Sequence, residues 1–325
     1  MNSHPNTIQD VQASPVTLIA ADGYGLAAHH WTHATLPIHA VVVINPATAV
    51  KASYYHRYAR FLAINGMSVL TYDYRGIGAS RRGSLREFKN ISKLDWGRLD
   101  CDAALQWARD NHIDMPVHVV AHSIGGLLVG LARNNTCVER CVTVGAQYAY
   151  WRDYERGKRL FMWLRWHLLM PALTALFGYF PAKALGWHED LPAAVAYEWA
   201  FRPARLEESY LGMSGSGPDA LAHFAGMTGD ILAIGMTDDP FGTQAALDRL
   251  LAYFTNSRRV HVRISPESIG EKNIGHFAFF HDRFKATLWQ QSLDWLISGS
   301  IPECAVSSVI IPAAFSNIEA PANGR

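Results

Sequence analysis

The sequence predicts an α/β fold: a mostly parallel central sheet covered by helices on both faces. Three observations predict it. A continuous apolar run at 40–44 and largely apolar segments at 67–72 and 116–121 have the pattern of strands buried on both sides. Segments with helical apolar spacing stand between them, and strands alternating with amphipathic helices imply parallel pairing with crossover connections. A chain of 325 residues, 49% hydrophobic and 18% charged, can bury a large core and does not have a disordered composition.

The elements follow in order. Two short β-like runs, 16–20 and 25–31, flank Asp22-Gly23, a hairpin signal that adds an antiparallel edge. After the strand at 40–44, residues 54–65 have helical spacing and stop at Gly66, a residue suited to the position just past a helix end. The strand at 67–72 is followed by a loop rich in Gly, Arg and Ser, then by a predicted helix over 96–111. The strand at 116–121 runs straight into His122-Ser123-Ile124-Gly125-Gly126 and a helix reaching about residue 133. Strands are predicted again at 138–144, 231–234 and 260–264, and a last helix at 284–297.

Residues 147–229 break the alternation. They are dense in Trp, Tyr, Leu and Pro, show no buried strand and read as an inserted helical cap. The predicted organisation is therefore a core at 16–146, the cap at 147–229, the rest of the core at 230–298, and a peripheral or disordered tail at 299–325.

Other features narrow the function. Lys and Arg total 29 against 28 Asp and Glu, which leaves no electrostatic footprint for nucleic acid. Cys101, Cys137, Cys141 and Cys304 are too scattered for a disulfide framework and are read as free thiols. No histidine or cysteine group has metal-ligand spacing, and the glycine-rich loop at 75–80 lacks the spacing of a dinucleotide or phosphate site. No cofactor or metal is expected. Residues 160–180 are strongly apolar, but Arg165, His167 and Pro171 argue against an uninterrupted membrane-spanning helix. Residues 1–14 lack the apolar stretch of a signal peptide, so the expected location is the cytoplasm.

The chemistry is carried by Ala121-His122-Ser123-Ile124-Gly125 between a strand and a helix. A sharp strand-to-helix turn needs small residues on either side of its serine, and it lifts Oγ above the sheet. The same turn places the Ile124 N–H at a helix N-terminus, where a developing oxyanion is favoured. A serine needs a base, and Gly275-His276 lies between the strand at 260–264 and the last helix, with His281 as competitor. The acid belongs after the strand at 231–234, where Asp238 and Asp239 are adjacent; the Asp239-Pro240 step favours Asp239. The second oxyanion donor should follow the strand at 40–44. Pro46 has no N–H, which points to Ala47.

With these residues placed, the chain resembles the α/β-hydrolase superfamily, and within it hydrolases grouped with serine aminopeptidase-like and monoacylglycerol lipase-like domains. The resemblance covers roughly residues 16–297. It rests on the Ser123 elbow, the Asp239-Pro240 step, Gly275-His276 and the loop Tyr72-Asp73-Tyr74-Arg75-Gly76-Ile77-Gly78-Ala79-Ser80, where Asp73 and Arg75 are read as braces. Asn45-Pro46 stands where many members have His-Gly, and Ala121 replaces the first elbow glycine. The resemblance implies an α/β-hydrolase fold and serine-hydrolase chemistry, and the aromatic, near-neutral segment at 147–229 favours a small, largely apolar acyl or aryl ester over a charged substrate. A carboxylic ester is the expected bond, cleaved through an acyl-enzyme. An acyltransferase with the same triad, or a binding protein that has lost the chemistry, are the alternatives.

Overall fold

The computed structural model describes residues 10–210, 217–302 and 306–310. The strands are β1 (Val11–Ile19), β2 (Gly25–His33), β3 (Ala40–Asn45), β4 (Met67–Tyr72), β5 (Val117–His122), β6 (Val138–Val144), β7 (Tyr179–Phe180), β8 (Leu191–Pro192), β9 (Asp230–Met236), β10 (Arg259–Ile264) and β11 (Val306–Ile310). Nine of them form one sheet in the order β1-β2-β4-β3-β5-β6-β9-β10-β11, and β7 pairs with β8 apart from it. The six strands from β4 to β10 run parallel. The opening hairpin and β11 add antiparallel strands at the two edges.

This is the mostly parallel sheet the apolar runs predict. Successive residues of one strand serve opposite layers: Val41 and Val43 join one buried cluster, Val42 and Ile44 the other. Burying each such side chain contributes about 1.5–3 kcal/mol. β1 starts earlier than expected. Its outer residues alternate little and include Pro15, a residue that only an edge strand tolerates.

The helices are α1 (His56–Ala63), α2 (Asp102–Asn111), α3 (Ile124–Leu131), α4 (Arg159–Phe177), α5 (Ala193–Ala200), α6 (Gly217–Gly226), α7 (Gln244–Leu251) and α8 (Gln290–Ser298). Between β6 and β9 the chain is mainly helical, as the sequence indicates, with the two-residue strands β7 and β8 as an unforeseen addition. Met162, Trp166, Met170 and Val195 of this insertion belong to the same buried cluster as Val43 and Val119. The insertion is thus packed continuously onto one layer of the sheet.

One expectation is corrected. Helix α4 runs unbroken past Pro171. A wider, π-type turn over Leu164–Leu169 comes just before it. The carbonyl that Pro171 cannot bond therefore falls in a stretch that already departs from α spacing. By length and composition α4 is the one helix among the described residues that could cross a membrane. It buries Met162, Trp166, Met170 and Thr174 and exposes Leu160, Leu164, Leu168 and Leu176. Residues 311–325 of the predicted tail, and Cys304, lie outside the described residues, whereas Cys101, Cys137 and Cys141 are free thiols.

Candidate active site

Parallel strands deliver the loops after β3, β5, β6, β9 and β10 to one edge of the sheet, where ligands of such folds gather. Ser123 sits at the junction of β5 and α3 with φ 53° and ψ −118°. This strained conformation is typical of a side chain held for a purpose. Its N–H donates to the Val144 carbonyl at 3.0 Å. The small neighbours are required by close approach: a Cβ on Gly125 would stand 2.6 Å from the Asn45 carbonyl oxygen, and one on Gly126 2.6 Å from Ala146 Cβ. Ile124 opens α3, so its N–H has no acceptor within the helix.

The loop after β9 carries both candidate acids, and the structure separates them. Asp239 Oδ2 lies 2.6 Å from His276 Nδ1, and Asp239 Oδ1 accepts the Phe241 N–H at 2.8 Å. Asp238 instead accepts the N–H groups of Ile274 and Gly275, each at 2.9 Å, and so fixes the backbone just before His276. Burial pushes the Asp239 carboxyl up. The adjacent His276, together with the N–H groups of Gly242 and Phe241, outweighs burial and holds it below its ordinary value. An ionised carboxylate only accepts, so Nδ1 of His276 carries the proton and Nε2 is left as the basic nitrogen. His281 lies outside this arrangement, 3.1 Å from the Tyr54 hydroxyl.

Ser123 and His276 line one cavity of about 370 Å³. Its other walls come from Ala47 and Thr48 after β3, from Phe241 and Phe277, and from Trp166, Trp187 and Trp199 of the insertion. The sequence-predicted serine, histidine and Ala47 therefore meet around one space, with Asp239 buried behind the imidazole.

Ala47 is placed at the cavity as expected, but its N–H is not free. It donates to the Tyr55 hydroxyl at 2.8 Å. That hydroxyl lies 2.8 Å from His122 Nδ1, and His122 Nε2 lies 2.8 Å from the His276 carbonyl oxygen. The carbonyl can only accept, so Nε2 of His122 donates to it. Nδ1 then accepts from Tyr55, whose oxygen accepts from Ala47. This buried relay joins the loops after β3, β5 and β10. Sequence reasoning missed Tyr55 and His122 as parts of the site; the position of His122 next to the serine was the one local signal. The braces expected in the loop after β4 are present: Asp73 accepts the Ala52 and Ala79 N–H groups at 2.7 and 2.8 Å, and Arg75 pairs with Asp100 and Asp22, each at 2.6 Å.

Comparison with known proteins bears on the fold. The model of a family described as serine aminopeptidase, S33, matches residues 37–191. An esterase from Pyrococcus furiosus superposes with a TM-score of 0.54 at 13% identity, covering 89% of this chain and 93% of its own. A cold-adapted esterase from an Arctic intertidal metagenomic library superposes with a TM-score of 0.51 at 13% identity, covering 91% and 97%. At such identity the likeness is one of fold. No curated protein matches the chain.

Proposed function

The chain has an α/β-hydrolase fold, and from that premise we propose that it is a serine hydrolase of that superfamily cleaving the carboxylic ester of a small, largely apolar acyl substrate. The observation that carries this reading is the 2.6 Å His276–Asp239 pair opening onto the same cavity as Ser123. His276 takes the proton of Ser123 as Oγ attacks the ester carbonyl. It returns that proton to the leaving alcohol, and Asp239 stabilises the imidazolium in between. Water activated by His276 then cleaves the acyl-enzyme.

The Ile124 N–H holds the oxyanion at the helix N-terminus. Ala47 N–H is the second donor, and serves when the oxyanion displaces the Tyr55 hydroxyl from it. The insertion acts as a cap that encloses the acyl group against Trp166, Trp187 and Trp199, an environment suited to an apolar chain. Protein labelling with a fluorophosphonate probe tests the reading. Wild-type protein should be modified at Ser123 and Ser123→Ala protein should not; absence of labelling in the wild type would remove the hydrolase assignment.

A further inference from the structure

The cavity is apolar, but it is not featureless. Arg165 is the one residue of fixed charge among those lining it, and no Asp or Glu lines it. Among the described residues Arg165 forms no ion pair. Its guanidinium instead lies over two rings of the same wall, 3.6 Å from the Trp187 centroid and 4.9 Å from that of Trp166. Aromatic faces hold a cation in place without neutralising it, so the charge stays available to a ligand. Burial draws the guanidinium below its ordinary pKa, which agrees with the lack of a counter-ion.

A second polar group lines the same cavity: Gln147 is 5% exposed and has a buried Oε1 with no hydrogen-bond partner. Buried amides are ordinarily satisfied; Oε1 is an acceptor, so it suits a donor such as the hydrolytic water or the leaving alcohol rather than the ester itself. Gln147 lies two residues after Gly145, where an added Cβ would stand 3.0 Å from Asp239 Oδ2 and 3.2 Å from His276 Nδ1, so it belongs to the catalytic end. Arg165 belongs to the far end. From His276 the wall passes to Phe241 at 5.1 Å, to Trp166 at a further 6.0 Å, and only then to the guanidinium.

Resting on the hydrolase reading above, we propose that the substrate is an ester whose far end bears a carboxylate. In this arrangement Arg165 pairs with that carboxylate, an apolar linker lies along Phe241 and Trp166, and the scissile ester sits at Ser123 beside Gln147. Arg165 is then a specificity-determining residue that selects acid-ended esters over neutral ones of the same length, through a charge-assisted pair held on an aromatic wall.

The test separates binding from chemistry. Ser123→Ala protein is titrated calorimetrically with monomethyl suberate and with dimethyl suberate, which differ in one terminal group. The half-ester should bind about ten-fold or more tightly than the diester, as a charge-assisted contact requires. Adding Arg165→Gln should abolish the difference, and Arg165→Lys should keep part of it, which guards against loss through misfolding. Equal binding of the two ligands, or a preference that survives Arg165→Gln, overturns the proposal. Wild-type turnover of the two esters is read separately. If neither is hydrolysed while the binding preference holds, the hydrolase reading falls and the carboxylate site stands; if the diester is hydrolysed but the preference is missing, the reverse holds.

Discussion

Asp239 Oδ2 lies 2.6 Å from His276 Nδ1, while its neighbour Asp238 binds only backbone, at Ile274 and Gly275. Two adjacent carboxylates thus have separate tasks: one orients the imidazole, the other fixes the loop that carries it. Asp239→Asn should lower kcat by about 10³–10⁴, because an amide at that position can hold the imidazole in the wrong tautomer. Asp238→Asn should mainly cost stability, about 1–3 kcal/mol for disturbed buried N–H groups, with a much smaller loss of kcat. Turnover of p-nitrophenyl butyrate and urea unfolding of both variants give the comparison. Equal losses of kcat would show that the two carboxylates are not divided in this way.

Gly145 adopts φ +55°, and a Cβ there would lie 3.0 Å from Asp239 Oδ2 and 3.2 Å from His276 Nδ1. Alanine at this position is therefore strained in its backbone and presses on the acid and base together. Small displacements of catalytic groups are expensive, so Gly145→Ala should lower kcat by about ten- to a hundred-fold while changing KM little. A fall in KM-limited binding with kcat intact would contradict the placement of this glycine behind the pair.

The parts of the fold legible in the sequence were those whose signal is local. β3 is an apolar run as far as Asn45 and β5 is mostly apolar around His118, and the Ser123 elbow shows its small neighbours and its strand-to-helix setting directly. The choice of Asp239 over Asp238 could be favoured but not decided, because which carboxylate meets His276 depends on the turn after β9, a matter of about one residue's rotation. Tyr55 and His122 were not legible as partners. They are 67 residues apart and meet only because β3 and β5 are neighbours in the sheet. For the same reason the sequence could name Ala47 as a donor but could not reveal that its N–H already has an acceptor. In the sequence Arg165 stands out only as an obstacle to a membrane helix, since its position at the cavity depends on how the insertion folds back over the sheet edge.

The Tyr55 hydroxyl receives the Ala47 N–H and donates to His122, so Tyr55→Phe leaves two buried groups without partners. The variant should lose about 1–3 kcal/mol of stability, read as a lower urea midpoint at unchanged slope. Its kcat should not fall in parallel, because the same change releases the Ala47 N–H for the oxyanion. A drop in kcat larger than the drop in stability can explain would mean that the hydroxyl itself takes part in catalysis.

His122 makes the fold sensitive to acid. Its imidazole is fully enclosed, and burial, with the nearby His276 second, lowers its pKa from 6.5 to about 3. The folded protein therefore keeps His122 neutral where the unfolded chain has already taken up a proton. Its contribution to stability is complete above about pH 6.5, declines as the pH falls below that value, and is gone once the pH passes the folded value near 3. The slope approaches about 1.4 kcal/mol per pH unit across this window. His122→Gln supplies an acceptor for Tyr55 and a donor for the His276 carbonyl without a titrating group. The variant should be less stable at pH 7, and its stability should fall less steeply between pH 6.5 and 4.5. Other buried histidines such as His118, lowered to about 4, titrate in both proteins and cancel in the difference. Urea unfolding of the two proteins across that range measures it, and parallel stability profiles would show that His122 is not the group responsible.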